Sequence, residues 1–135
     1  MLCIETASHV SELAALADSV SGEPVEFLLV PDCGVWAESC GMKIQNRSPR
    51  GLAVRRRTDS RAIVVLRENY EEGHIADQAS ALLVAGWADQ SAEVRQPASF
   101  LRFLVLHELA HLVNHWGQEH EQDCNEWAFQ KLGWS

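Results

Sequence analysis

The spacing of apolar positions changes several times along the chain, and each change marks an element. Between Ser8 and Val20, Val10, Leu13, Ala14, Leu16 and Ala17 recur at helical intervals, which predicts an amphipathic surface helix capped by Ser8 and stopped near Gly22. Val25 to Val30 reads as a strand, closed by the turn composition Pro31-Asp32-Cys33-Gly34. Val35 to Gln45 fits either a short helix or a strand. Leu52 to Arg57 and Arg61 to Arg67 flank Thr58-Asp59-Ser60 and predict a β-hairpin. His74 to Ala88, rich in Ala and Leu, predicts a further helix, followed by a polar link from Asp89 to Gln96. The mixture predicts an α+β protein with a short mixed or antiparallel sheet.

The longest helical pattern comes late. No Gly or Pro lies between Pro97 and Gly117, residues suited to a helix start and a helix stop. On a helical wheel Leu104, His107, Glu108, His111 and His115 share about a third of the circumference. Leu101, Val105, Leu109, Leu112 and Trp116 fall on another side, so one side is expected to pack while the other carries imidazoles.

Within this helix, His107-Glu108-Leu109-Ala110-His111 has the H-E-x-x-H form. Two imidazoles four residues apart point the same way and can grip one metal ion together. The carboxylate between them borders that ion, placed to take a proton from water. A hydrolytic zinc site needs a third protein ligand and an open fourth position. His115, Glu119, His120, Glu121 and Asp123 follow closely enough to supply it. His115 lies about 12 Å along the axis from His107 at 1.5 Å per residue, too far to close the site, and is expected at the cleft rim. Glu121 opens a second helical stretch that Gly117 separates from the first, and a helix folding back there can present a carboxylate to the same ion.

The run from His107 to His115, followed by Glu121-x-Asp123-Cys124-Asn125-x-Trp127-Ala128, resembles the signatures of the ImmA/IrrE-type metallopeptidases, within the wider gluzincin group. The resemblance covers about the last 35 residues and implies a small zincin-like core. It implies zinc held by His107, His111 and Glu121, with Glu108 as catalytic acid and base. It also implies that Asn125 orients a ligand. Cys124 and Trp127 stand where the family usually has Ala and Phe, and the short spacing from His111 to Glu121 keeps His120 as an alternative third ligand. Relatives of this type often cleave a DNA-binding repressor, so a protein substrate of that kind is implied by resemblance alone. By element order the resemblance also points to Arg61–Arg67 as the strand that aligns an extended substrate.

Composition sets outer limits. At 135 residues, 47% hydrophobic and 22% charged, the chain suits one domain with a core of its own. Its start carries Glu5, Glu12 and Asp18 and lacks a basic leader region, and the longest uncharged apolar run, Ala79 to Ala88, is too short to span a bilayer. Four cysteines without C-x-x-C spacing are expected to be free thiols, which points to the cytoplasm. The net charge is −8, yet eight of the eleven basic residues lie between Lys43 and Arg67 with Asp59 as the only acid among them. That hairpin is a candidate contact surface, giving the alternative reading of a zinc-containing regulator that acts by protein contact. No helix-turn-helix or aromatic stacking pattern accompanies the arginines, so direct nucleic-acid binding is not expected. They could also balance the acidic segment holding Glu119, Glu121, Asp123 and Glu126. An oxyanion stabiliser is required as well, with His115, His120, Tyr70 or an Arg as candidates and Tyr70 also readable as a loop aromatic.

Overall fold

A helix apolar on nearly every side organises the molecule. The structure, a computed structural model, describes residues 3–43 and 49–134. The α+β expectation holds: six α-helices and two small sheets occur among the described residues. Gln45, at the end of the ambiguous segment, and Arg47 of the basic run lie outside them.

Strand β1 (Cys3–Glu5) pairs antiparallel with β5 (Asn69–Glu71), with Ile4 opposite Tyr70. Between β1 and α1 (Val10–Ser21), Thr6–His9 form a 3-10 turn rather than the Ser8-capped helix start. The turn is anchored at Thr6, whose hydroxyl donates to the Arg67 carbonyl at 2.6 Å and whose amide donates to Glu68 O at 2.9 Å. The helix ends as anticipated, with Gly22 left-handed at φ 72°.

Strand β2 (Val25–Val30) leads directly into α2 (Cys33–Ser39). Pro31–Gly34 is therefore not a free turn: the Asp32 carboxylate accepts the Val35 amide at 2.9 Å and caps the helix. Strands β3 (Gly51–Arg55) and β4 (Ala62–Arg67) form the anticipated hairpin, and β2 adds parallel to β4, giving the order β2-β4-β3. This corrects the assignment of Arg61–Arg67 as a substrate-aligning strand. β4 is central, with both edges already hydrogen-bonded, whereas among the described residues β3 pairs on one side only.

Helix α3 (Glu72–Val84) ends before Gly86, whose φ of 94° turns the chain. The expected polar link is instead a two-turn helix, α4 (Ala88–Val94). It buries Ser91 and Val94, three residues apart on one face, and the Ser91 hydroxyl donates to Ala79 O in α3 at 2.6 Å.

Helix α5 (Pro97–Val113) lies in the core against α1, α4, β3, β4 and a C-terminal helix, α6 (Glu121–Leu132). Phe100, Leu101, Phe103, Leu104, Val105, Leu106, Leu109 and Ala110 are all buried, so the two-sided wheel gives way to a helix buried almost all round. It also stops earlier than Gly117. The Asn114 amide side chain donates to Ala110 O at 3.2 Å, His115 is left-handed at φ 55°, and the Trp116 amide returns to His111 O at 3.1 Å. This is a Schellman terminus with His in the place usually given to Gly. After a 3-10 turn at Gln118–His120, α6 folds back along α5.

Candidate metal centre

His107 and His111 stand one turn apart on α5, and α6 brings Glu121 to both at its first residue. His107 Nε2 lies 3.0 Å from one carboxylate oxygen and His111 Nε2 3.2 Å from the other. All three donor atoms fall within 4.8 Å of one another. Ligand atoms about 2 Å from an ion at the tetrahedral angle sit about 3.3 Å apart, so the spacing suits a small cation. His107 is buried, while His111 and Glu121 are half-buried.

The outer ring nitrogens decide what the inner ones offer. His111 Nδ1 faces the Trp116 carbonyl at 2.8 Å, an acceptor only, so Nδ1 carries the proton and Nε2 presents a lone pair. His107 Nδ1 donates to Asn125 Oδ1 at 2.7 Å. The Asn125 amide is set by donation from its Nδ2 to Gln122 Oε1 at 3.2 Å, and that oxygen also accepts from Trp87 Nε1 at 3.0 Å. Two lone pairs and a carboxylate thus converge, an arrangement that repels itself unless protons or a cation occupy it. The group can hold a metal ion, with three protein ligands and room for a fourth.

The electrostatics of the metal-free cluster agree. The neighbouring Cys124 sulfur and then the Glu121 carboxylate raise the His111 pKa to about 11. Burial opposes ionisation of Glu121, but the hydrogen bonds and charges of His107 and His111 together hold its carboxyl well below the usual range. Glu108 shows the reverse: burial dominates and raises its pKa, and no described residue donates a hydrogen bond to it. It is a carboxylate beside the cluster with its acceptor capacity unspent.

These groups line a cavity of about 330 Å³ whose opposite wall includes Arg50, Gly51 and Leu52 of the β3 region. β3 packs closely on α5 at Gly51, where a Cβ would sit 3.4 Å from Glu108 Cγ, from a Leu66 methyl and from Val65 O, at the near limit of ordinary contact.

Of the residues singled out from sequence, His107, Glu108, His111, Glu121 and Asn125 meet here. His115 does not line the cavity, and the reason is the helix terminus rather than axial distance: its left-handed turn leaves the side chain exposed. His120 also stays outside, with Nδ1 2.8 Å from Asp123 and its ring stacked on Trp116. Tyr70 is neither an exposed loop aromatic nor a cavity group. It is fully buried, donates its hydroxyl hydrogen to the Arg50 carbonyl and accepts the Arg67 amide at 3.0 Å. Four of the hairpin arginines, Arg55, Arg56, Arg61 and Arg67, pair with Glu23, Glu26, Asp32 and Asp59 instead of with the acidic C-terminal segment. Sequence reading missed Trp87, Gln122, Gln78 and the individual place of Arg50. Only Gln122 gave a local signal, adjacent to Glu121 and three residues before Asn125.

No protein family, no curated protein and no solved structure matches the chain. The likeness to ImmA/IrrE-type peptidases therefore rests on the His107–Ala128 motifs alone.

Proposed function

We propose that this protein is a zinc-dependent peptidase that hydrolyses a peptide bond in a protein substrate. The observation that carries the reading is the convergence of His107, His111 and Glu121 beside Glu108, a carboxylate to which no described residue donates a hydrogen bond, in one open cavity. A purely structural metal site has no use for such a base. Zinc held by the three side chains would supply Lewis acidity, polarising a carbonyl and making a water easier to deprotonate. Glu108 is placed to take a proton from water in the cavity and would return it to the departing amine. Asn125 and the Trp116 carbonyl keep the two imidazoles aimed. An extended segment can align along the edge of β3 that no described strand occupies, where Gly51 and Leu52 line the cavity, through backbone hydrogen bonds.

A DNA-binding regulator as substrate, and a cytoplasmic setting, belong to this proposal through the resemblance and the cysteine pattern. Cys3 and Cys40 are exposed, Cys33 and Cys124 buried, and all four are free, so titration of the unfolded, unreduced protein should count four thiols. Among the described residues, no helix is long and apolar enough to cross a membrane. Action by contact through the basic hairpin has less support, since Arg55, Arg56, Arg61 and Arg67 are each paired with a carboxylate within the fold.

Metal analysis combined with peptide-library cleavage tests the reading. The purified protein should carry about one zinc per chain, and Glu108→Gln should retain it while cleavage falls by about 10²- to 10⁴-fold. A protein that takes up no zinc, or a Glu108→Gln variant as active as the parent, would overturn it.

A further inference from the structure

Arg50 differs from the ion-paired arginines of the basic run in having its partners in the cavity wall. Arg55, Arg56, Arg61 and Arg67 have carboxylate partners within 3.4 Å, whereas Arg50 has none among the described residues. Its Nε donates to Gln78 Oε1 on α3 at 2.9 Å, and Gln78 is only 8% exposed. Its carbonyl accepts from the buried Tyr70 hydroxyl and, at 3.8 Å, from the buried Cys33 thiol. Residue 50 is thus fixed from α2, β5 and α3, and among the described residues it is the only Lys or Arg lining the cavity. Its positive charge is felt at Glu108 across that cavity.

A divalent ion held at the centre would offset Glu121 and Glu108 together, and Arg50 would then leave the cavity with one positive charge, inside a chain whose net charge is −8. With Nε committed to Gln78, the two terminal nitrogens still form a fork that fits a carboxylate end-on. Among the described residues no other Lys or Arg lines the cavity to meet such a group.

We propose that Arg50 recognises a carboxylate beside the bond to be cleaved, so that the substrates are peptides bearing an acidic side chain or a free chain end at that place. This rests on the zinc peptidase reading, and a binding measurement separates the two. Three peptide hydroxamates are compared on the zinc-loaded protein by calorimetry: one with Asp and an amidated end, one with Asn and an amidated end, and one with Asn and a free C-terminal carboxylate. One of the carboxylate probes should bind about tenfold or more tightly than the neutral Asn amide, the probe preferred revealing the source of the group. Arg50→Gln should erase that preference and leave zinc content and neutral-probe affinity within about twofold, whereas Arg50→Lys should keep part of it. Equal binding of all three, or a preference that survives Arg50→Gln, would overturn the proposal alone. Failure of every hydroxamate to bind would overturn the peptidase reading and the proposal with it.

Discussion

The two histidines of the metal centre are aimed by different means. His107 depends on side chains: Asn125, then Gln122, then Trp87 from the α3–α4 turn. His111 depends on backbone, the Trp116 carbonyl delivered by the terminus of its own helix. The first support can be removed atom by atom, whereas the second survives any substitution that keeps the turn. Robustness at the two ligands should therefore differ even though their chemistry is the same.

The largest effect should come from the ligand that both share. Glu121→Ala is expected to weaken zinc binding by more than the about hundredfold typical of an orienting residue, while His115→Ala leaves it near the parent value. Competition with a chelator of known affinity measures both, and similar losses would remove Glu121 from the centre. Next, Asn125→Ala should cost about 10- to 100-fold in zinc affinity, whereas Trp116→Ala, which keeps its carbonyl, should cost only a few-fold. Equal losses would break the contrast between side-chain and backbone support.

The third prediction concerns pH. Because the folded-state pKa of His111 is raised above its ordinary 6.5, its contribution to the metal-free fold is complete below about 6.5 and is lost as pH rises through about 11. Zinc needs the unprotonated nitrogen, so protons compete with it and its binding strengthens as pH rises. The gain in Tm on adding zinc should thus be larger at pH 8 than at pH 6, read by scanning calorimetry; a gain that shrinks would contradict the assignment. The smallest effect should be His115→Gly. Relief of the left-handed conformation is expected to add about 1 kcal/mol to unfolding free energy in urea without changing zinc affinity.

The sequence made some of this legible for physical reasons. The Val25–Val30 strand, the β3–β4 hairpin and the H-E-x-x-H helix each repeat one period long enough to be read, and Glu121 and Asn125 lie on a helix separated by a visible Gly. Other features depend on partners far along the chain. α4 buries only Ser91 and Val94, so its seven residues look like polar linker. The end of α5 is set by a left-handed His, which no Gly or Pro announces. The central position of β4 did leave a trace: Ala62 to Leu66 is uninterrupted apolar residues, the mark of a strand covered on both faces, by α5 over Val64 and Leu66 and by α2 over Val65. Arg50 was counted as one charge in a run because its distinction lies in Gln78, Tyr70 and Cys33, none of them its neighbours in sequence.

The ending of α5 ties chain length to chemistry. The hydrogen bond that closes the helix at residues 111–116 also delivers the acceptor for His111, so stopping the helix and aiming the imidazole happen in one turn. Surface connections between helices ordinarily tolerate added or deleted residues. Here a single insertion between Val113 and Gly117 would carry the carbonyl away from its imidazole and Glu121 out of step with both histidines, making this short corner the least elastic stretch of the molecule's surface.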